Sequence, residues 1–466
     1  MKLKYSVIIS LFALGGCSMT PVAPDYSKPV KTYPDYGVSE KTLKNGLKVI
    51  VKEDHRAPVA VSQVWYKVGS SYEHSGITGI SHMLEHMMFK GTKKHPPGEF
   101  SRIIAENGGS ENAFTGKDYT AYFQQLEKSR LPISFELEAD RMRNVVFLKK
   151  EFKKERQVVI EERRMRTDDD PQALTSEMFN AAAYVNSGYH APVIGWRTDL
   201  DNYKVTDVAA WYKTWYAPNN ATLVVVGDVN PDDIFAKAEH YFGGNLPEKI
   251  PVRKPRTEIK QLGERDIVVK APAKVPYLMM GYQAASVVDT DKDWEPYALE
   301  VLANVLDGGI SARMETNLVR KQQVASSIGT SYDAFTPGRE LFTFSGVPAQ
   351  GHNVKDLENA IKEQVHLVQT QLVTDGELAR VKAQVVASKV YQKDSIFYQA
   401  MTIGMMETIG LDWTLSEQYA DRINKVTKEQ IQQVAKKYLV DDNLTVAVLD
   451  PQPIDPNKPR RVWRGR

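Results

Sequence analysis

The chemistry-bearing core of the chain is His82-Met83-Leu84-Glu85-His86, set in the helical pattern that runs from Gly79 to Phe89. Two histidines four apart lie one turn from each other on one side of a helix, and Glu85 falls between them. Neutral imidazole nitrogens take Zn²⁺ readily, and a catalytic zinc site uses three protein ligands with the fourth position open to water. A carboxylate beside that position can accept the water's proton, while the metal lowers the water's pKa to about 7 and polarises the carbonyl under attack. Peptide hydrolysis is the reaction such a set suits. An ordinary polar helix face is the competing reading. With 9 histidines in 466 residues, an H-x-x-E-H pentapeptide arises by accident in roughly one such chain in a hundred.

Helix phase is a second test. Ile80, Met83, Leu84, Met87 and Met88 follow the i, i+3, i+4, i+7, i+8 stripe of a buried face, so His82, Glu85 and His86 project from the opposite side. A third ligand must come from elsewhere, and the helix-like run from Glu151 to Met165 is the best source. Phe152, Val158, Val159 and Met165 define its expected buried face; Glu155 and Glu162 fall on that face, and Glu161 falls well off it. A carboxylate on an apolar face must be paired, protonated or bound to metal. Glu162 is therefore preferred over Glu161 as the ligand, with Glu155 a supporting carboxylate behind a ligand histidine.

Gly79-Ile-Ser-His-Met-Leu-Glu-His-Met-Met-Phe-Lys-Gly-Thr92, Asn112-Ala-Phe-Thr115 and Tyr216-Ala-Pro-Asn-Asn-Ala-Thr222 together resemble the pitrilysin/insulinase family of zinc peptidases, whose motif is the inverted H-x-x-E-H. The chain is most similar to small members of the mitochondrial-processing-peptidase type, from about Val38 to Asp450. The resemblance implies a glutamate ligand roughly seventy-odd residues after the second histidine, which lands on Glu162, and one Zn²⁺ per chain. It also implies α/β sandwich halves closing like a clamshell around a chamber. Asn112, Ala113 and Phe114 would lie on the sheet edge to which a peptide adds as an extra strand. In many members the zinc-free half supplies an Arg and, seven residues later, a Tyr that hold substrate. Arg320 takes the first position, but position 327 is Ser, which lacks a phenol's reach and acidity; Tyr332 is the nearest alternative.

The supporting elements read as two similar halves of α+β type, each a mixed sheet flanked by helices. In the first half, Thr206 precedes a helix through Tyr212, and Asn219 to Pro231 reads as turn, apolar strand and turn. In the second, Thr427 and Gln430 form a capping box, and Asp441 to Pro451 repeats the strand. Asn45-Gly46 signals a hairpin ahead of a strand over 59–68. The helix expected from Trp294 to Leu306, after a strand over 277–282, stands where the first half has its histidine helix, and it has no histidine. Asp307-Gly-Gly lacks the Lys-Ser/Thr of a phosphate loop and reads as a turn. Residues 38–245 form the metal-binding half, 246–262 a proline-spaced basic linker, 263–450 the inactive half and 451–466 a tail.

The N-terminus points to an address. Lys2 and Lys4 precede an apolar run from Val7 to Leu14, too short to span a bilayer as a mature helix but suited to a secretory signal. Leu14-Gly-Gly-Cys17 looks like a bacterial lipoprotein signal, with residues 1–16 removed, Cys17 lipidated and 17–37 a tether. Cys17 is the sole cysteine, so it has no intrachain disulfide partner. Ser18 resembles the signal for passage to the outer membrane, which would put the protein in the bacterial periplasm. With 60 basic against 58 acidic residues there is no electrostatic reason to expect nucleic acid. The leading expectation is a zinc endopeptidase acting on peptides or unfolded segments. A catalytic subunit needing a same-fold partner, as homodimer or heterodimer, is the alternative that Ser327 raises; a scaffold keeping an inherited zinc site is the third.

Overall fold

The computed structural model describes residues 24–455. Lys28–Tyr33 (β1), Val38–Thr42 (β2), Lys48–Glu53 (β3), Val59–Tyr66 (β4), Ser110–Thr115 (β5), Thr120–Glu127 (β6) and Ala221–Gly227 (β7) build one sheet, in the order β1-β2-β3-β7-β4-β6-β5. Arg265–Pro272 (β8), Tyr277–Ala284 (β9), Ala325–Ser331 (β10), Glu340–Pro348 (β11) and Leu444–Gln452 (β12) build another, in the order β10-β11-β9-β12-β8. In the first, β7 runs parallel to β3 and antiparallel to β4. In the second, β12 runs parallel to β8 and antiparallel to β9. The duplication suggested by two apolar strands is thus a duplication of a five-strand topology, and the expected mixed sheets flanked by helices are present.

Local signals account for much of this. Gly46, at φ +89°, turns the hairpin that pairs β2 with β3, a conformation open to glycine at little cost. All seven residues of β7 are buried, as suits an apolar strand covered on both faces. Thr427 and Gln430 do form a capping box, on the helix Lys428–Tyr438. Thr206 is one residue inside its helix, Val205–Trp215; Asp207 reaches back to the Lys204 N–H instead.

The halves are clasped by exchanged helices. Pro171–Ala183 belongs to the first half in sequence but packs on β8, β9 and β12, while Ile396–Ile409 of the second half packs on β4 and β7. Each clasp needs a glycine. A Cβ on Gly281 would stand 2.5 Å from the Phe179 ring, and one on Gly404 would stand 2.1 Å from the Trp65 indole nitrogen. Trp65, Val61, Val224 and Val226 form one apolar cluster with Ala400, Ile403, Met406 and Trp413 across the junction.

Two boundaries shift, and the linker is not free. The stretch 17–37, read as a tether, is ordered structure from Lys28 onward: β1 pairs antiparallel with β2, and the rings of Tyr33 and Tyr36 meet Trp413 edge-on at 4.9 and 5.8 Å. Pro29 sits on the outermost strand and Pro34 in the first turn of a 3₁₀ helix, two places where a missing N–H costs little. At the other end, β12 runs through Gln452, so Pro451 belongs to the second half and not to the tail. The linker 246–262 has no helix or strand, yet it is strapped to the first half. Arg253 and Arg256 donate to the carbonyls of Ser71 and Glu73, and Glu258 accepts the N–H groups of Val185, Asn186 and Ser187. The signal segment and Cys17 lie outside the described residues. Among the described residues no helix is long and apolar enough to cross a membrane.

Candidate metal centre

The helix Ile80–Met88 buries Ile80, Met83, Leu84, Met87 and Met88 in the first-half core. His82, Glu85 and His86 are left on the wall of a cavity of about 1450 Å³. Its N-terminus is fixed with little freedom. Gly79 (φ +81°) and Gly195 (φ +86°) lie against each other so closely that a Cβ on either would fall within 2.4 Å of the other strand's carbonyl oxygen. The fully buried Glu73 accepts the N–H of Gly79 at 2.6 Å and of Ser81 at 2.8 Å, satisfying donors that a helix start leaves open.

The helix Lys149–Arg163 supplies the other side. Glu162 Oε2 lies 3.3 Å from His86 Nε2 and 3.8 Å from His82 Nε2. The ligand atoms of His82, His86 and Glu162 all fall within 4.8 Å of one another. Ligands around a tetrahedral zinc at its usual bond lengths are separated by roughly 3.3–3.5 Å, so this nitrogen, nitrogen, oxygen set fits the ion with small side-chain adjustments. Glu155 Oε1 is 3.1 Å from His86 Nδ1, and its other oxygen pairs with Lys90 at 2.6 Å. That contact orients the imidazole so that Nε2 points to the metal position. Arg166 pairs with the second oxygen of Glu162 at 2.9 Å. Glu161 is more than half exposed and pairs with Arg164.

Protonation follows from these contacts. Burial and the neighbouring His86 depress His82 to about 4, so it is a neutral ligand at any ordinary pH. Burial acts downward on His86 too, but hydrogen bonds to Glu155 and Glu162 outweigh it and raise the group to about 9. The metal would take the place of that proton. Burial raises Glu85, and the Thr115 hydroxyl, which donates to Glu85 Oε2, opposes the rise. A carboxylate poised in this way can take up a proton and release it again.

Glu162 is the carboxylate beside the histidines, as helix phase predicts, although not every residue of the expected buried face is buried. Val158 is 50% exposed, whereas Val159 and Ile160 are buried. Val158 and Met165 face the cavity with Glu155 and Glu162; an apolar cavity wall has the same residue types as a core. The α-helix also stops at Arg163 and continues as a π-helix over Arg164–Asp168. Asn112, Ala113 and Phe114 line the cavity on β5, which is the edge of its sheet. Arg320 does not reach it. That guanidinium is more than half exposed and pairs with Glu315, Ser327 is exposed on β10, and the Tyr332 hydroxyl donates to the Ala285 carbonyl. Among the described residues, those lining the cavity all fall between His82 and Ile194, with none from the second half. Thr115 and Arg166 carried no role in the sequence reading; the four-residue step from Glu162 to Arg166 was the available signal for the second.

Residues 48–196 match the family described as "Insulinase (Peptidase family M16)" and residues 202–385 match "Peptidase M16 inactive domain". The zinc protease PqqE of Helicobacter pylori is 35% identical over 345 residues, covering 73% of this chain and 77% of that protein. An uncharacterized zinc protease of Mycobacterium leprae is 27% identical over 91% of this chain and 94% of its own length. The crystal structure of a protease from Helicobacter pylori superposes with a TM-score of 0.84 at 30% identity, over 89% of this chain and 99% of that one. With a relative above 30% identity over most of its length, and with both halves matched, this chain belongs to the insulinase (M16) family of metallopeptidases.

Proposed function

We propose that the chain is a zinc endopeptidase in which His82, His86 and Glu162 hold one Zn²⁺ and Glu85 is the general acid and base. The convergence of the two imidazoles and Glu162 on one point, with Glu85 held by Thr115 in the same cavity, carries this reading. Zinc bound there would polarise the scissile carbonyl and lower the pKa of a water to about 7. Glu85 accepts a proton from the attacking water and delivers it to the leaving nitrogen. Thr115 keeps the carboxylate turned toward the reacting atoms. The unpaired edge of β5 offers backbone donors and acceptors to an extended peptide, with Asn112, Ala113 and Phe114 beside it. Glu85→Gln should retain zinc and lose cleavage of an unfolded peptide, whereas Glu162→Ala should lose zinc and Glu161→Ala keep it. Equal turnover by Glu85→Gln and wild type would sink the mechanism, and metal analysis with the opposite outcome would overturn the ligand set.

We further propose a lipid-anchored periplasmic setting, supported by Lys2, Lys4, the apolar run to Leu14 and Cys17 right after Gly15-Gly16. Acyl chains on Cys17 would anchor it to a membrane, the outer one given Ser18. A second chain of the same fold completes the chamber, as homodimer or heterodimer. The cavity lining without any second-half residue, and the commitment of Arg320 to Glu315, favour this reading. Sedimentation with a parallel peptidase assay tests it: full activity in a monomer would remove the need for a partner.

A further inference from the structure

The basic linker also forms part of a second cavity. About 420 Å³ in volume, it opens at the junction of the halves and is lined by Lys67, Tyr72 and Asp118 of the first half, Arg253 to Glu258 of the linker, and Asp289 and Arg339 of the second half. Its carboxylates are hydrogen-bonded, but only Asp289 is paired with a cation. Asp118 accepts from the hydroxyls of Ser71 and Tyr189, Glu258 from three backbone N–H groups, and Asp289 pairs with Arg339 at 3.0 Å. The cations are not matched. Among the described residues, Lys67, Arg253, Lys254 and Arg256 have no carboxylate within ion-pair distance. Arg253 lies over the Tyr72 ring at 3.6 Å and donates to the Ser71 carbonyl at 2.8 Å, while Arg256 donates to the Glu73 carbonyl. Both guanidiniums are thereby held in place by neutral groups, with further N–H donors uncommitted.

We infer that this cleft binds a compact phosphate-class anion, of inorganic phosphate or pyrophosphate size. With Arg339 paired to Asp289, four cations face the two carboxylates Asp118 and Glu258, an excess of two positive charges that suits a multiply charged ligand, and the held arginines present N–H donors suited to phosphate oxygens. A single carboxylate would leave half of that excess unanswered. The anion would tie the linker to both halves, and Tyr189, which lines this cleft and the metal-site cavity alike, makes the two adjacent.

Calorimetric titration of the full chain with pyrophosphate, at constant ionic strength set by chloride, tests the inference. Saturable binding is expected. Arg256→Gln should weaken it about tenfold or more, since a charge-assisted hydrogen bond is worth at least about 1.4 kcal/mol. Lys254→Gln, at an exposed side chain that holds nothing in the fold, should weaken it in the same direction. Lys249→Gln, on the linker but outside the cleft, should bind as wild type does. Absence of saturable binding overturns the proposal. So does equal affinity in wild type and both cleft variants, the pattern of an anion that ligates the metal instead.

Discussion

At the scale of single residues, the centre depends on carboxylates that never touch the reacting atoms. Glu155 is the example. It holds His86 through Nδ1 and is itself held by Lys90, one turn beyond His86. Partners of this kind are worth about 10- to 100-fold in metal affinity. Glu155→Gln is expected to weaken zinc binding by that range, measured by competition with a chelator, without moving the Glu85-dependent proton step. Unchanged affinity would mean that packing alone orients the imidazole. Much of this was legible in the sequence, because His82, Glu85 and His86 are local to one turn and Glu155 and Glu162 lie on one side of one helix. Arg320 was not, because whether a side chain reaches a site depends on where its helix is carried.

At the scale of elements, the second half keeps the architecture and replaces the histidine helix by Glu295–Asp307, with ten of its thirteen residues buried. Glu300 on this helix accepts a hydrogen bond from the Tyr419 hydroxyl, and burial pushes it up from 4.5 to about 7. Its contribution to stability has a definite sign. Below pH 4.5 both folded and unfolded chains carry the proton. Between 4.5 and about 7 the unfolded chain releases it first, so stability falls as pH rises, by about 3 kcal/mol in all, and above 7 the loss is complete. Glu300→Gln should lose this slope, so that the variant gains on wild type from pH 5 to pH 8 in urea unfolding. A difference that stays constant with pH would show that Glu300 ionises normally in the folded chain. Other elements were harder to read. The stretch 17–37 reads as a tether, yet an edge strand and a 3₁₀ turn tolerate Pro29 and Pro34 where they fall.

At the scale of the whole molecule, the halves are bound by reciprocal helices, each seated through a glycine against a large ring. Alanine is the better helix former than glycine by about 1 kcal/mol, so Gly404→Ala would stabilise an isolated helix. Here its methyl would stand 2.1 Å from the Trp65 indole nitrogen, and overpacking of this kind costs about 1–3 kcal/mol. The clash should win, lowering the unfolding midpoint in urea; a variant at or above wild-type stability would show that the clasp yields. The sequence by itself determined the H-x-x-E-H helix, the preference for Glu162, the duplication and the absence of histidine from the corresponding helix of the second half. Those follow from side-chain type and from periodicities of a few residues. Only the tertiary structure decided which sheet each clasp helix covers, that the linker is strapped down by Arg253, Arg256 and Glu258, and that the metal-site cavity is lined, among the described residues, by the first half. Each of these is a contact between residues far apart in the chain, and no local pattern encodes which distant surface an apolar face will meet.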